Sequence, residues 1–263
     1  MIVCKNCACE FEGKFCPQCG QKAKTKRITI KQVIAEARQR IFHYEQGFWY
    51  TSRALLLRPG HASREYLEGK RVKHIKPVKF MFWAAAISFL VFHLVGLDRA
   101  LMEKIAAQQQ ENNPVGQQLS QKIFQLFSNH PAVLMFLMIP LIAFWSWLLF
   151  RRQAYNYAEH FVLNTFLMGE VSLASIFISP ISRLISNFST TSWPMTLFST
   201  GVWVLYFGWA YSQFFQQSKK IGVWLKGGLT ILLGYLLMIL LIAVLVMVVI
   251  IFFKPQLEAW LTI

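Results

Sequence analysis

The chain has 263 residues, 55% of them hydrophobic and 15% aromatic, and its mean hydropathy is +0.41. That is more apolar surface than one soluble core of this size can bury, so an ordinary soluble domain is excluded and lipid is an expected partner. Lys and Arg outnumber Asp and Glu by 27 to 12, a net charge of +15, and positions 1–80 hold 17 of the basic and 6 of the acidic residues.

Such a basic segment suits nucleic acid or an anionic lipid surface. Because it leads straight into an apolar run, anionic headgroups are the favoured partner and nucleic acid is not. Positions 1–20 contain no apolar stretch followed by a small-residue cleavage site, so the N-terminus is expected to stay in the cytosol.

The strongest chemical signal comes first in the chain. Cys4-Lys5-Asn6-Cys7 and Cys16-Pro17-Gln18-Cys19-Gly20 form two C-x-x-C knuckles. Each such turn lets two thiolates converge, and four thiolates complete a tetrahedral zinc ion at about 2.3 Å with no open position, the pattern of a structural site. Residues 1–24 are read as one zinc-ribbon knuckle whose folding energy comes from the metal. Phe11 and Phe15 are expected to form its minimal core, and Gly20 to permit a close backbone approach. A redox dithiol, needing only one pair, and an iron or iron–sulfur centre are the competing readings. Cys9, two residues beyond Cys7, either replaces one of the four ligands or stays a free thiol in a reducing compartment, and the free thiol is the expectation.

Residues 25–79 read as a basic amphipathic juxtamembrane region. Apolar residues at Ile30, Val33, Ile34, Ala37 and Ile41 recur at helical spacing within 28–42, as in a helix lying on a membrane or packed on a cytoplasmic protein surface, which periodicity does not distinguish; Phe48, Trp49 and Tyr50, which suit the headgroup layer, favour the membrane. Arg58-Pro59-Gly60 marks a break, with Gly60 tolerating positive φ. Gly69-Lys70-Arg71 and Pro77 mark the entry into the next apolar run. His61, His74 and Glu65 are the candidate groups for chemistry at a lipid interface, although lone histidines in a basic segment are more often surface residues.

Residues 80–263 read as an all-α membrane domain. Apolar runs of about the length that spans a bilayer occur at 80–97, 132–150, 160–179, 195–212 and 227–253, giving about five transmembrane helices. With the N-terminus inside, 22 of the 27 basic residues fall on the inner side, as the positive-inside rule requires, and the C-terminus faces the periplasm. Residues 98–130 are polar, with Pro114 and Gly116 dividing them into two short helices of an external loop.

Within the third run, Glu170 is an ionisable group where one is costly, and His160 and Asn164 enter the same helix one turn apart. Together they form a candidate intramembrane polar site. The alternative is that Glu170 is protonated or hydrogen-bonded and sets helix packing, as Ser172, Ser175 and Ser179 are expected to do. His93 reaches Glu170 only if the first and third runs pack together. No Walker loop, H-E-x-x-H, G-x-S-x-G or dinucleotide fingerprint is present, so an enzyme is the weaker reading.

Several blocks taken together resemble a known family: Cys16-Pro17-Gln18-Cys19-Gly20, Arg27-Ile28-Thr29, Gly47-Phe48-Trp49-Tyr50-Thr51, Leu56-Leu57-Arg58-Pro59-Gly60 and Tyr66-Leu67-Glu68-Gly69-Lys70-Arg71, followed by Lys76-Pro77 and Phe80. They are similar to the uncharacterised bacterial membrane proteins of domain-of-unknown-function family 3667 (DUF3667), and Tyr157-Ala158-Glu159-His160 looks like that family's second short motif. The resemblance implies a zinc ribbon ahead of several transmembrane helices in a bacterial inner membrane, and no known activity. The favoured function is a non-enzymatic scaffold or adaptor that recruits a cytosolic protein. A small transporter or channel component using Glu170, His160 and Asn164, and an interfacial lipid-modifying enzyme, are the alternatives.

Overall fold

A computed structural model describes residues 1–24, 29–30, 47–95, 131–185, 193–216 and 220–261. The helix expected over 28–42, apart from Thr29 and Ile30, and the loop expected over 98–130 lie outside the described residues. The described chain is mostly helical. A two-stranded antiparallel ribbon, β1 (Ile2–Val3) and β2 (Glu10–Phe11), pairs Ile2 with Phe11 and Val3 with Glu10. Seven helices follow: α1 (Phe48–Leu57), α2 (Pro59–Glu68), α3 (Pro77–Leu94), α4 (Pro131–Leu149), α5 (Tyr157–Ile185), α6 (Trp193–Phe214) and α7 (Lys220–Leu261).

Local chemistry sets the helix ends. Arg58, at φ −152° and ψ 60°, separates α1 from α2, and Pro59 takes the first turn of α2, where its missing N–H costs nothing. Gly69 closes α2 at φ 114°, a conformation that favours glycine. Pro77 opens α3 three residues before the apolar run begins. Asn156 and Glu159 form a reciprocal capping box at the start of α5. The Glu159 N–H donates to Asn156 Oδ1 at 3.0 Å, and the Asn156 N–H donates to Glu159 Oε2 at 2.7 Å.

The helix α5 is the centre of the bundle, touching α1, α2, α3, α4 and α6, and residues 162–173 are buried throughout. One core lies between α4, α5, α6 and α7, built on Ile142, Leu163, Leu167, Phe207, Tyr211 and Ile231. The other joins α1 and α2 to α3 and α5 through Leu55, Ala62, Tyr66, Phe80, Val162 and Phe166. The α3–α5 contact is close at Gly169, where a Cβ would lie 2.8 Å from the Phe80 ring. Ser88 Oγ donates to the Ser172 carbonyl at 2.8 Å and Ser172 Oγ to Ser88 Oγ at 3.1 Å.

Gly60 departs from its expected role. It lies inside α2 without positive φ, and its missing side chain instead lets α2 meet the Ala210 carbonyl and Phe214 backbone of α6.

Among the described residues, three helices are, by length and composition, long and apolar enough to cross a membrane: Pro77–Leu94, Tyr157–Ser179 and Lys220–Val244. A shorter apolar stretch covers Val133–Leu149. The α6 helix has 22 residues but is outside this group, because its Trp, Tyr, Ser and Gly residues lower its hydropathy. The final helix, α7, has 42 residues, about 63 Å at 1.5 Å per residue, and so outreaches a ~30 Å hydrocarbon core.

Candidate metal centre

The two C-x-x-C turns fold alike. In the first, the Cys4 N–H donates to the Cys9 carbonyl at 2.9 Å and the Ala8 N–H to the Cys4 carbonyl at 2.8 Å. In the second, the Cys16 N–H donates to the Gln21 carbonyl at 2.8 Å and the Gly20 N–H to the Cys16 carbonyl at 2.9 Å. Both turns need positive φ at the residue after the second cysteine. Gly20 supplies 71°, whereas Ala8 holds 59° against the preference of an L-residue. Space around Gly20 is open, so the backbone angle, and not the expected close approach, is what calls for glycine.

These turns bring Cys4, Cys7, Cys16 and Cys19 together, with all four Sγ atoms within 4.8 Å of one another. Cys4 and Cys19 are 3.5 Å apart and Cys7 and Cys16 3.6 Å, far beyond a disulfide bond of about 2.05 Å. A tetrahedron of four sulfurs about 2.3 Å from a zinc ion has edges of about 3.8 Å, so the donor set and its spacing fit such an ion. Cys9 is outside the group and donates to the Glu10 carbonyl at 3.5 Å.

Cys4 and Cys16 are buried with Phe11 in the knuckle's small core, but Phe15, expected beside Phe11, is 56% exposed. Phe15 bridges Lys22 through its backbone, and its side chain points away from the core.

The four thiols are electrostatically linked. Burial would raise Cys19, but the Gln21 backbone N–H and the Asn6 side chain favour its thiolate, and its pKa falls to about 6. At Cys7 the Cys9 backbone N–H favours the thiolate, yet burial and hydrogen bonding of its own S–H to the Cys19, Cys16 and Cys4 sulfurs favour the thiol and push the pKa up to about 12. A divalent cation held by Cys4, Cys7, Cys16 and Cys19 would relieve this conflict by stabilising all four sulfurs as thiolates.

The knuckle is joined to the helices. Gln21, 5% exposed, donates from Nε2 to the Gly69 carbonyl at 2.8 Å, a buried bond between residues 48 positions apart. The left-handed cap of α2 thus presents a carbonyl to the residue that also accepts from the Cys16 N–H.

The candidate intramembrane residues separate into two places. His160 and Asn164 are fully buried at the junction of α4, α5 and α6. His160 Nδ1 meets Ser146 Oγ at 2.5 Å, and Asn164 Oδ1 accepts from the Tyr211 hydroxyl at 2.9 Å. Glu170 faces elsewhere, accepting on Oε1 from Ser52 Oγ of α1 at 3.3 Å. Among the described residues, neither His160 Nε2 nor Glu170 Oε2 has a hydrogen-bond partner. Although α3 packs on α5, His93 is exposed and stacks on Phe89.

Among the interfacial candidates, Glu65 pairs with Arg58 at 3.0 Å and His61 Nδ1 contacts Arg64 Nη2 at 2.7 Å. His74, expected on the surface, is 7% exposed between the Tyr50 and Tyr66 rings, 5.1 and 6.3 Å from its own. Burial lowers its pKa to about 4, with Glu65 opposing and Arg58 adding to the shift. Sequence reasoning missed Ser52, Ser146 and Tyr211. A serine or tyrosine on an apolar helix carries no signal until the facing helix is known.

Residues 45–89, from just before α1 to well into α3, match the model of the protein family described as protein of unknown function (DUF3667). No match is found among curated proteins or among solved structures.

Proposed function

We propose that this chain is a membrane-embedded adaptor whose cytoplasmic zinc knuckle presents a surface to a cytosolic protein while the basic segment seats it on anionic lipid. The observation carrying this reading is the closed four-cysteine site, fastened through Gln21 to the matched helical block. Four protein ligands leave no position for a substrate, which suits a structural ion.

In this reading α3 to α7 are five spans of a bacterial inner membrane, the N-terminus is cytoplasmic and the C-terminus periplasmic, as the distribution of Lys and Arg favours. The test is metal content per chain of the purified protein beside Cys16→Ser/Cys19→Ser, with cross-linked partners recovered from both. About one zinc per chain, lost in the variant together with a specific partner, is the expected result. A wild type without zinc, or partners indifferent to its loss, overturns the adaptor reading.

A second reading, a small transporter, draws on the buried atoms of His160 and Glu170 that have no hydrogen-bond partner among the described residues. It requires Glu170→Gln to abolish a flux while expression is unchanged, and an unchanged flux removes it.

A further inference from the structure

The α1 helix has two unlike faces. Thr51, Ala54 and Leu55 are buried against the bundle, and Ser52 reaches Glu170, so the inner face is pinned. The outer face carries Trp49 at 75% exposure, Leu56 at 54% and Leu57 at 61%, together with Tyr50 and the exposed Arg53. Residues 49, 53 and 56 follow i, i+4, i+7 spacing, and 50 and 57 are seven apart, so all five fall on one stripe.

The other side of α1 meets the start of the first candidate span. Phe48 of α1 and Phe80 of α3 have ring centroids 5.4 Å apart, and α3 presents an outward stripe of its own, with Phe82, Trp83, Ala86, Phe89 and Leu90 exposed. Lys73, also exposed, lies at the N-terminus of α1, where its carbonyl is 2.8 Å from the position of a Cβ on Gly47.

A protein partner closing over the α1 stripe would desolvate the Arg53 guanidinium among apolar side chains, which is costly without a buried counter-charge. At a bilayer surface the same arrangement is favourable. Leu side chains enter the acyl boundary, Trp and Tyr sit at headgroup level, and Arg extends its stem over apolar surface to a phosphate.

We infer that α1 lies in the headgroup layer of an anionic leaflet, with Trp49, Tyr50, Leu56 and Leu57 as the inserted face and Arg53 and Lys73 as the phosphate contacts. This rests on the reading of the chain as a membrane protein and does not depend on its zinc or its protein partner.

The test places benzoylphenylalanine at Leu57 or at Ala86 of the full-length protein in nanodiscs of phosphatidylcholine, with or without phosphatidylglycerol. Irradiation followed by intact-mass analysis identifies what each position touches. The expected result is lipid adducts at both positions, with phosphatidylglycerol over-represented at Leu57. Arg53→Gln should reduce that preference about fivefold, with metal content and melting temperature unchanged.

Lipid adducts at Ala86 but none at Leu57 overturn the inference and leave the membrane reading intact. Adducts of Leu57 to a second copy of the chain instead assign the stripe to a dimer contact. Absence of lipid at both positions removes the membrane reading and the inference together. Equal labelling by the two lipids, unaffected by Arg53→Gln, refutes the anionic contact.

Discussion

His74 makes the turn between α2 and α3 sensitive to acid. Its pKa falls from 6.5 to about 4 on folding because burial disfavours the imidazolium. The folded chain therefore binds this proton less readily than the unfolded one, so the contribution is fully present above about pH 6.5 and is lost as pH falls towards 4. At about pH 5 an unfolded segment is almost wholly protonated at this position and the folded one almost wholly neutral, a difference of about 2 kcal/mol or about thirtyfold in a local opening constant. The assay is hydrogen exchange of the backbone amides of residues 70–76 at about pH 7.5 and about pH 5, corrected for intrinsic exchange. Protection is expected to drop on acidification, and His74→Phe, which keeps an aromatic ring between Tyr50 and Tyr66, should flatten most of the change. Protection indifferent to pH in the wild type, or equally sensitive in His74→Phe, would refute the argument.

Ala8→Gly relieves the left-handed backbone of the first knuckle and should slow metal loss to a chelator by a factor corresponding to about 1 kcal/mol. Cys9→Ser should retain the full metal content, since Cys9 lies outside the four converging sulfurs. Gly60→Ala should force α2 away from α6, because the new Cβ meets the Ala210 carbonyl and the Phe214 amide; melting in detergent should fall by several degrees or more. Gly201→Ala, with open space around it, should leave melting unchanged or raise it by an amount corresponding to about 1 kcal/mol. Gln21→Ala should keep the metal ligands yet deprotect amides around Gly69, measured by hydrogen exchange.

The four converging cysteines were legible because thiolates close in sequence must turn back on one another, and spacing alone reports that. Apolar runs located the long helices for a similar reason: length and hydropathy are local properties. Boundaries shifted where caps outweighed composition, as Pro77 and the Asn156–Glu159 pair show. Residue roles failed where they depended on a neighbour distant in sequence. Gly60 looked like a turn residue because Pro59 precedes it, but α6 decides its role. Phe15 and Phe11 look alike in sequence, and only the strand pairing selects which one enters the core. His160 and Glu170 lie on one helix, yet about 15 Å of axial rise and different faces assign them to different neighbours. The Gln21 contact with Gly69 has no sequence pattern, since any long polar side chain can reach a carbonyl.

That contact has a thermodynamic consequence. Gln21 holds Cys16 through its backbone and Gly69 through its side chain, so ordering the knuckle and seating it on the helices are one linked equilibrium. Linkage is reciprocal: the factor by which a bound ion strengthens the seating is the factor by which the seating strengthens retention of the ion. Whatever steadies α1 and α2 therefore registers in the affinity for a metal at the other end of the hydrogen bond, and if α1 rests on a bilayer as inferred above, the chain should hold a bound ion more tightly in a lipid disc than in a detergent that loosens the helix pair.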